Sequence, residues 1–132
     1  MTELHPIFIE GIVQQDEHDS APLLVLRDHQ QRALAITIGL CEAVAIQAAL
    51  DGQEAPRPLT HTLLLSLIER LEARVLRVVI DDLSNDTYYA RLILQGSEGT
   101  VSLDCRPSDG IALAIRANAP VLASEAVFRD AE

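Results

Sequence analysis

Within six consecutive positions, Asp104-Cys105-Arg106-Pro107-Ser108-Asp109, the chain places two carboxylates, a guanidinium and a hydroxyl. Two carboxylates that converge can share a divalent cation through oxygen ligands, or one can act as a general base. A neighbouring arginine clamps a phosphate or carboxylate through paired N–H groups. The apolar run after Gly110 reads as a helix, whose first turn offers unpaired backbone N–H groups to a phosphate oxygen. The parts are those of phosphate chemistry. Asp104 and Asp109 are the catalytic and metal candidates, Arg106 the clamp, and Ser108 a further substrate contact. Ser108 has no base beside it, and the chain has no Gly-x-Ser-x-Gly elbow, so nothing supports covalent catalysis.

Three residues elsewhere join these candidates. His61, beside Thr60 at a helix start, is an acid/base candidate. Arg57 is a second clamp. Glu42 follows Gly39 as Asp109 follows Arg106. Helix capping accounts for the two acidic residues without chemistry. With Pro107 at the first helical position, Asp109 falls at the third, where its carboxylate reaches back to the cap's N–H. There it also meets the positive dipole end, an effect of about 0.3–1 kcal/mol. His5, His18 and His29 lie near the terminus or in polar turns and are expected in solvent.

The elements that must position these groups follow from periodicity. Ile7–Gln14, Leu23–Arg27 and Ala33–Ile38 read as strands, with polar turns at Gln15–Ala21 and Asp28–Gln31. Leu40–Leu50 reads as a helix closed by Asp51-Gly52. Thr60 can N-cap a second helix, running to Glu72, in which Leu64, Leu67, Ile68 and Leu71 form a stripe at helical spacing. Strands Val75–Asp81, Thr87–Gln95 and Thr100–Cys105 come next, then a helix from Pro107 to near Asn118. Val121–Ala123 and a short helix from Ser124 complete the chain. Of Tyr88 and Tyr89, alternation sends one inward and one out. A shift of 67 positions lays Glu42 on Asp109 (109 − 42 = 67) and aligns the flanking apolar patterns. The predicted architecture is α+β. Two strand-strand-strand-helix halves with antiparallel meanders pack on helices, an extra helix is inserted between the halves, and residues 1–132 form one domain.

Composition narrows the functions. Ten basic residues, all arginine, stand against 20 acidic ones, giving a net charge of −10. That balance disfavours nucleic acid and membrane surfaces as partners at long range. Without lysine there is no nucleotide-binding Gly-Lys-Ser/Thr loop and no Schiff-base lysine. Cys41 and Cys105 are unclustered and read as reduced, intracellular core residues. No secretion signal opens the chain, and no apolar run reaches the roughly 20 residues a membrane helix needs, so a cytoplasmic location is expected. The core must be aliphatic. Its surplus of apolar residues leads us to expect a homo-oligomer, a dimer first.

Three segments carry a family resemblance: Ile36-Thr37-Ile38-Gly39-Leu40-Cys41-Glu42-Ala43-Val44-Ala45-Ile46, Arg57-Pro58-Leu59-Thr60-His61, and Asp104-Cys105-Arg106-Pro107-Ser108-Asp109-Gly110-Ile111-Ala112-Leu113. In order and spacing they resemble the bifunctional nuclease domain family, formerly a domain of unknown function, over about residues 5 to 125. The resemblance implies hydrolysis of DNA and RNA phosphodiesters, with Mg²⁺ or Mn²⁺ as the candidate cofactor. Asp104, Asp109, Glu42 and His61 would then be catalytic, and Arg106, Arg57 and Ser108 would bind substrate. Thr62 stands where the family pattern has Asp, and Gly110 where it has Ala. The alternative is a non-catalytic oligomeric binding or regulatory module linked to DNA repair or stress response, its motif residues forming a structural network.

Overall fold

The computed structural model describes residues 3–14 and 20–131. The expected turn at Gln15–Ala21 falls largely on residues outside that set, and His18 lies wholly outside it.

The first half is an antiparallel meander of β1 (Leu4–Val13), β2 (Leu23–Asp28) and β3 (Ala33–Thr37), followed by helix α1 (Leu40–Leu50). After helix α2 (Thr60–Arg70) the order repeats as β4 (Arg74–Ser84), β5 (Thr87–Gly96), β6 (Gly99–Cys105) and helix α3 (Pro107–Ala117). Strand β7 (Val121–Ser124) and helix α4 (Glu125–Asp130) end the described chain. The fold is α+β as the pattern predicts. What periodicity does not give is how the two meanders join.

They form one seven-stranded sheet in the order β3-β2-β1-β7-β4-β5-β6. Strand β7 is the seam, antiparallel to β1 and parallel to β4. Only four residues long, it is nearly all buried, as a central strand with neighbours on both sides must be. Val78, Ile80, Ala90, Leu92, Ile111, Leu113 and Ala123 build the aliphatic core with Leu24, Leu26, Leu34 and Ile46. Tyr88 packs against this core and Tyr89 is exposed, the predicted division.

Three expectations need correction. Thr60 does not cap α2: Leu59 holds the cap position without a side-chain bond, and Thr60 is the first helical residue. Cys41, read as a core residue, is exposed. The leucine stripe of α2 lies largely outside the core as well. Ile68 is buried, but Leu64, Leu67 and Leu71 are 38%, 52% and 70% exposed.

Gly110 has a steric reason. A Cβ there would lie 2.8 Å from Val78 Cγ1 and 3.1 Å from Cys105 Sγ, so glycine lets the first turn of α3 settle onto β4 and β6.

Candidate functional site

Helices α1 and α3 pack side by side, and α2 packs against α3. Their first turns carry Glu42, His61 and Asp109, and Arg106 is the residue preceding α3. Arg106 holds Asp109 in a fork, with Nε donating to Oδ2 at 2.8 Å and Nη2 to Oδ1 at 3.0 Å. Its Nη1 donates to Glu42 Oε1 at 3.1 Å, 64 positions away in sequence. His61 Nε2 lies 3.0 Å from Asp109 Oδ1. Because the partner is a carboxylate, Nε2 carries the proton and Nδ1 keeps its lone pair. Among the described residues Nδ1 has no hydrogen-bond partner.

Burial pushes the Asp109 carboxyl upward, but the bonds from Arg106 and His61 outweigh it. The group stays below its ordinary value and is ionised at neutral pH. The bonds to Asp109 first, and then to Glu42, raise Arg106 above the usual arginine range. Capping, the simplest reading of Asp109, does not hold. Both its oxygens are taken by side chains, and α3 has no side-chain cap.

The remaining candidates lie apart. Asp104 pairs across the ladder with Arg91, while Cys105 pairs with the fully buried Ala90. Strand alternation therefore puts Cys105 against α3 and turns Asp104 to the opposite sheet face. There it repels Asp81, whose carboxyl is raised by burial first and then by Asp82 and Asp104. The expected convergence of Asp104 and Asp109 does not occur. Arg57 is exposed in the loop before α2 and makes no ion pair among the described residues.

Ser108 is only 6% exposed and lines a cavity of about 540 Å³ beside the network. Gly39 and Arg106, the residues that open α1 and α3, border the same cavity, with Thr37, Asp86 and Tyr88. Sequence reasoning did not find the last three, because a hairpin turn and an edge strand meet there only after folding.

A divalent cation between Asp104 and Asp109 does not fit this donor set. The carboxylates face different ways, and both Asp109 oxygens already accept bonds, two from a guanidinium. Among the described residues, the one group with metal-ligand spacing is Glu3, His5 and Glu125, where β1 meets α4. Glu125 is engaged there by Arg32 Nη1 and His5 Nε2, each at 2.8 Å. His5 is therefore not the solvated histidine expected.

Comparison with known proteins agrees with the motifs. The bifunctional nuclease domain model matches residues 24–132, and the chain belongs to this family. It is 38% identical over 120 residues to an uncharacterized protein of Mycobacterium tuberculosis, covering 90% of this chain and 71% of that protein. Bifunctional nuclease 1 of Oryza sativa subsp. japonica is 34% identical over 110 residues, covering 78% of this chain and 33% of that protein. Bifunctional nuclease 1 of Arabidopsis thaliana is 27% identical over 105 residues, covering 76% and 32%. The chain thus spans about a third of the plant proteins' length.

Proposed function

We propose that this chain hydrolyses phosphodiester bonds of DNA or RNA, using His61 and Asp109 as its proton-transfer pair and Arg106 as its phosphate anchor. The observation that carries the reading is the 3.0 Å contact between His61 Nε2 and Asp109 Oδ1. An ionised aspartate holding Nε2–H fixes the tautomer and leaves Nδ1 as a base for an attacking water. Arg106 uses three of its five N–H groups on Glu42 and Asp109, and its side chain is 62% exposed. Two N–H groups, one on each terminal nitrogen, stay free to meet a phosphate oxygen. Glu42 positions the guanidinium. The Ser108 hydroxyl and the first turn of α3 line the adjoining cavity, where a second phosphate oxygen would lie.

Family membership supports the reaction class, and so do the names of the plant relatives. The test is hydrolysis of DNA and RNA by protein freed of contaminating nucleases, in Mg²⁺, Mn²⁺ and EDTA. Asp109→Asn and His61→Ala are compared with Asp104→Asn, each variant first checked for folding. Activity lost in the first two and kept in the third supports the assignment. Activity equal in all three refutes it.

A second reading rests on a specific feature. Arg106 and its two carboxylates satisfy one another, and with His61 they tie α1, α2 and α3 together. In a binding or regulatory module the network would only be this clasp. Folded wild-type protein inactive under every metal condition, with Asp109→Asn losing stability, favours that reading.

A further inference from the structure

We infer that the face formed by α2 and the outer edge of β6 is occupied by a second copy of this chain. Leu63, Leu64, Leu67 and Leu71 on α2 and Val101 and Leu103 on β6 are 38–70% exposed. Together they present apolar area on the order of 500 Å², near the upper end of the ~300–600 Å² found on monomers. A stable interface needs about 800 Å² from each partner, which this strip, its polar rim and an edge strand can supply.

The two strips lie on one side of the sheet. Val101 and Leu103 alternate in phase with Cys105, whose sulfur sits beside Gly110 of α3, so they belong to the helix-bearing face. Among the described residues no helix covers them, and both are nearly half exposed. On α2, Thr62 and Leu65 line a cavity with residues of α1 and α3. At about 100° per residue, Leu63, Leu67 and Leu71 fall on the flank turned away from that cavity.

Three features favour a second copy over a foreign partner. Strand β6 pairs only with β5 among the described residues, so its outer ladder is open. Antiparallel pairing of one β6 with another is what a two-fold axis generates, and it brings each apolar strip against its equivalent. The third feature is charge. Two chains of net charge −10 repel, and they approach best across a face free of charge. The run from Pro58 to Ile68, which supplies most of the α2 strip, contains no Asp, Glu or Arg.

Sedimentation of the full chain at micromolar concentration tests this, with an expected mass twice 14.4 kDa. The double variant Leu67→Glu/Leu71→Glu and the single variant Leu103→Glu should each sediment as one chain. Ala35→Glu on the opposite edge strand, β3, should remain a dimer. All four positions are exposed, so circular dichroism should match the wild type. Amide exchange of wild-type β6 gives a measure independent of any substitution, and its protection should rise with protein concentration while that of β3 does not. A monomeric wild type overturns the inference. So does a dimer that survives either variant of the strip, or one that Ala35→Glu dissolves.

Discussion

At Asp109, position and chemistry coincide: one carboxylate receives a fork from Arg106 and a bond from His61 at the start of a buried helix. If His61 is the base, Asp109→Asn loses the charge that holds Nε2–H and fixes the tautomer. Steady-state hydrolysis should then fall by about 10²–10⁴-fold, the usual worth of a positioned general base. A merely structural role would leave the pH–rate profile of any residual activity unshifted. A stability effect follows from the same contacts. The folded-state pKa of Asp109 lies below its ordinary 3.8, so its stabilisation is complete above that value. It is lost as pH falls through the lower folded value. Acid titration of Asp109→Asn should therefore show less destabilisation between pH 5 and the acid transition than the wild type, read by circular dichroism. Most of this cluster was legible in the sequence, because Glu42, His61, Arg106 and Asp109 each stand at a helix start. The misplaced member, Asp104, shows the limit. Alternation assigns it the face opposite Cys105, yet only the tertiary structure reveals which of the two faces bears the helices.

The same limit governs α2. The spacing of Leu64, Leu67 and Leu71 shows that they share one side of a helix, but periodicity does not say whether anything covers that side. Here nothing among the described residues does, and Ile68 with the half-buried Leu65 makes the inward contact. Helix α3 is the opposite case, with Ile111, Ala112, Leu113 and Ala114 all buried. It packs tightly on the sheet at Gly110, where helix propensity and packing conflict. Alanine would gain about 1 kcal/mol of propensity. Its Cβ would also meet Val78 Cγ1 at 2.8 Å, in a branched side chain with no exposure and no room to turn. Overpacking of this kind costs about 1–3 kcal/mol. Gly110→Ala should therefore be destabilised by about 1 kcal/mol net in denaturant unfolding. Adding Val78→Ala removes the clash but opens a cavity of its own, so the two changes should be less destabilising together than their sum. A double-mutant cycle measures that coupling.

Across the whole molecule, two guanidiniums stand at the centre of two ion-pair networks. Arg106 joins the helices, and Arg32 joins the first meander to the C-terminal helix. Arg32 donates from Nε to Asp28 Oδ2 at 2.8 Å and from Nη1 to Glu125 Oε2 at 2.8 Å, and it lies 4.3 Å from the Phe128 ring centroid. Glu125 in turn takes His5 Nε2 at 2.8 Å, so β1, the β2–β3 turn and α4 meet at one point. Both meanders were readable from alternation and turn residues, but this closure was not. Its contacts span 93 and 120 positions, and no local pattern encodes such pairings. Asp28 is 2% exposed, and Oδ1 accepts the backbone N–H groups of Gln30 and Arg32. Burial raises its carboxyl and the bonds from Arg32 more than reverse that, so it is buried as an anion. Removing Arg32 leaves that anion without its cation, whereas removing Arg27 breaks an exposed bond to the Gln31 carbonyl and a surface pair with Glu10, the kind that contributes ~0–1 kcal/mol. Thermal unfolding should accordingly show a much larger fall in Tm for Arg32→Ala than for Arg27→Ala. Adding Asp28→Asn to Arg32→Ala should recover part of it, because the asparagine needs no counter-ion. Equal Tm values for the two arginine variants would mean that the Arg32 network is incidental to the joining of the halves.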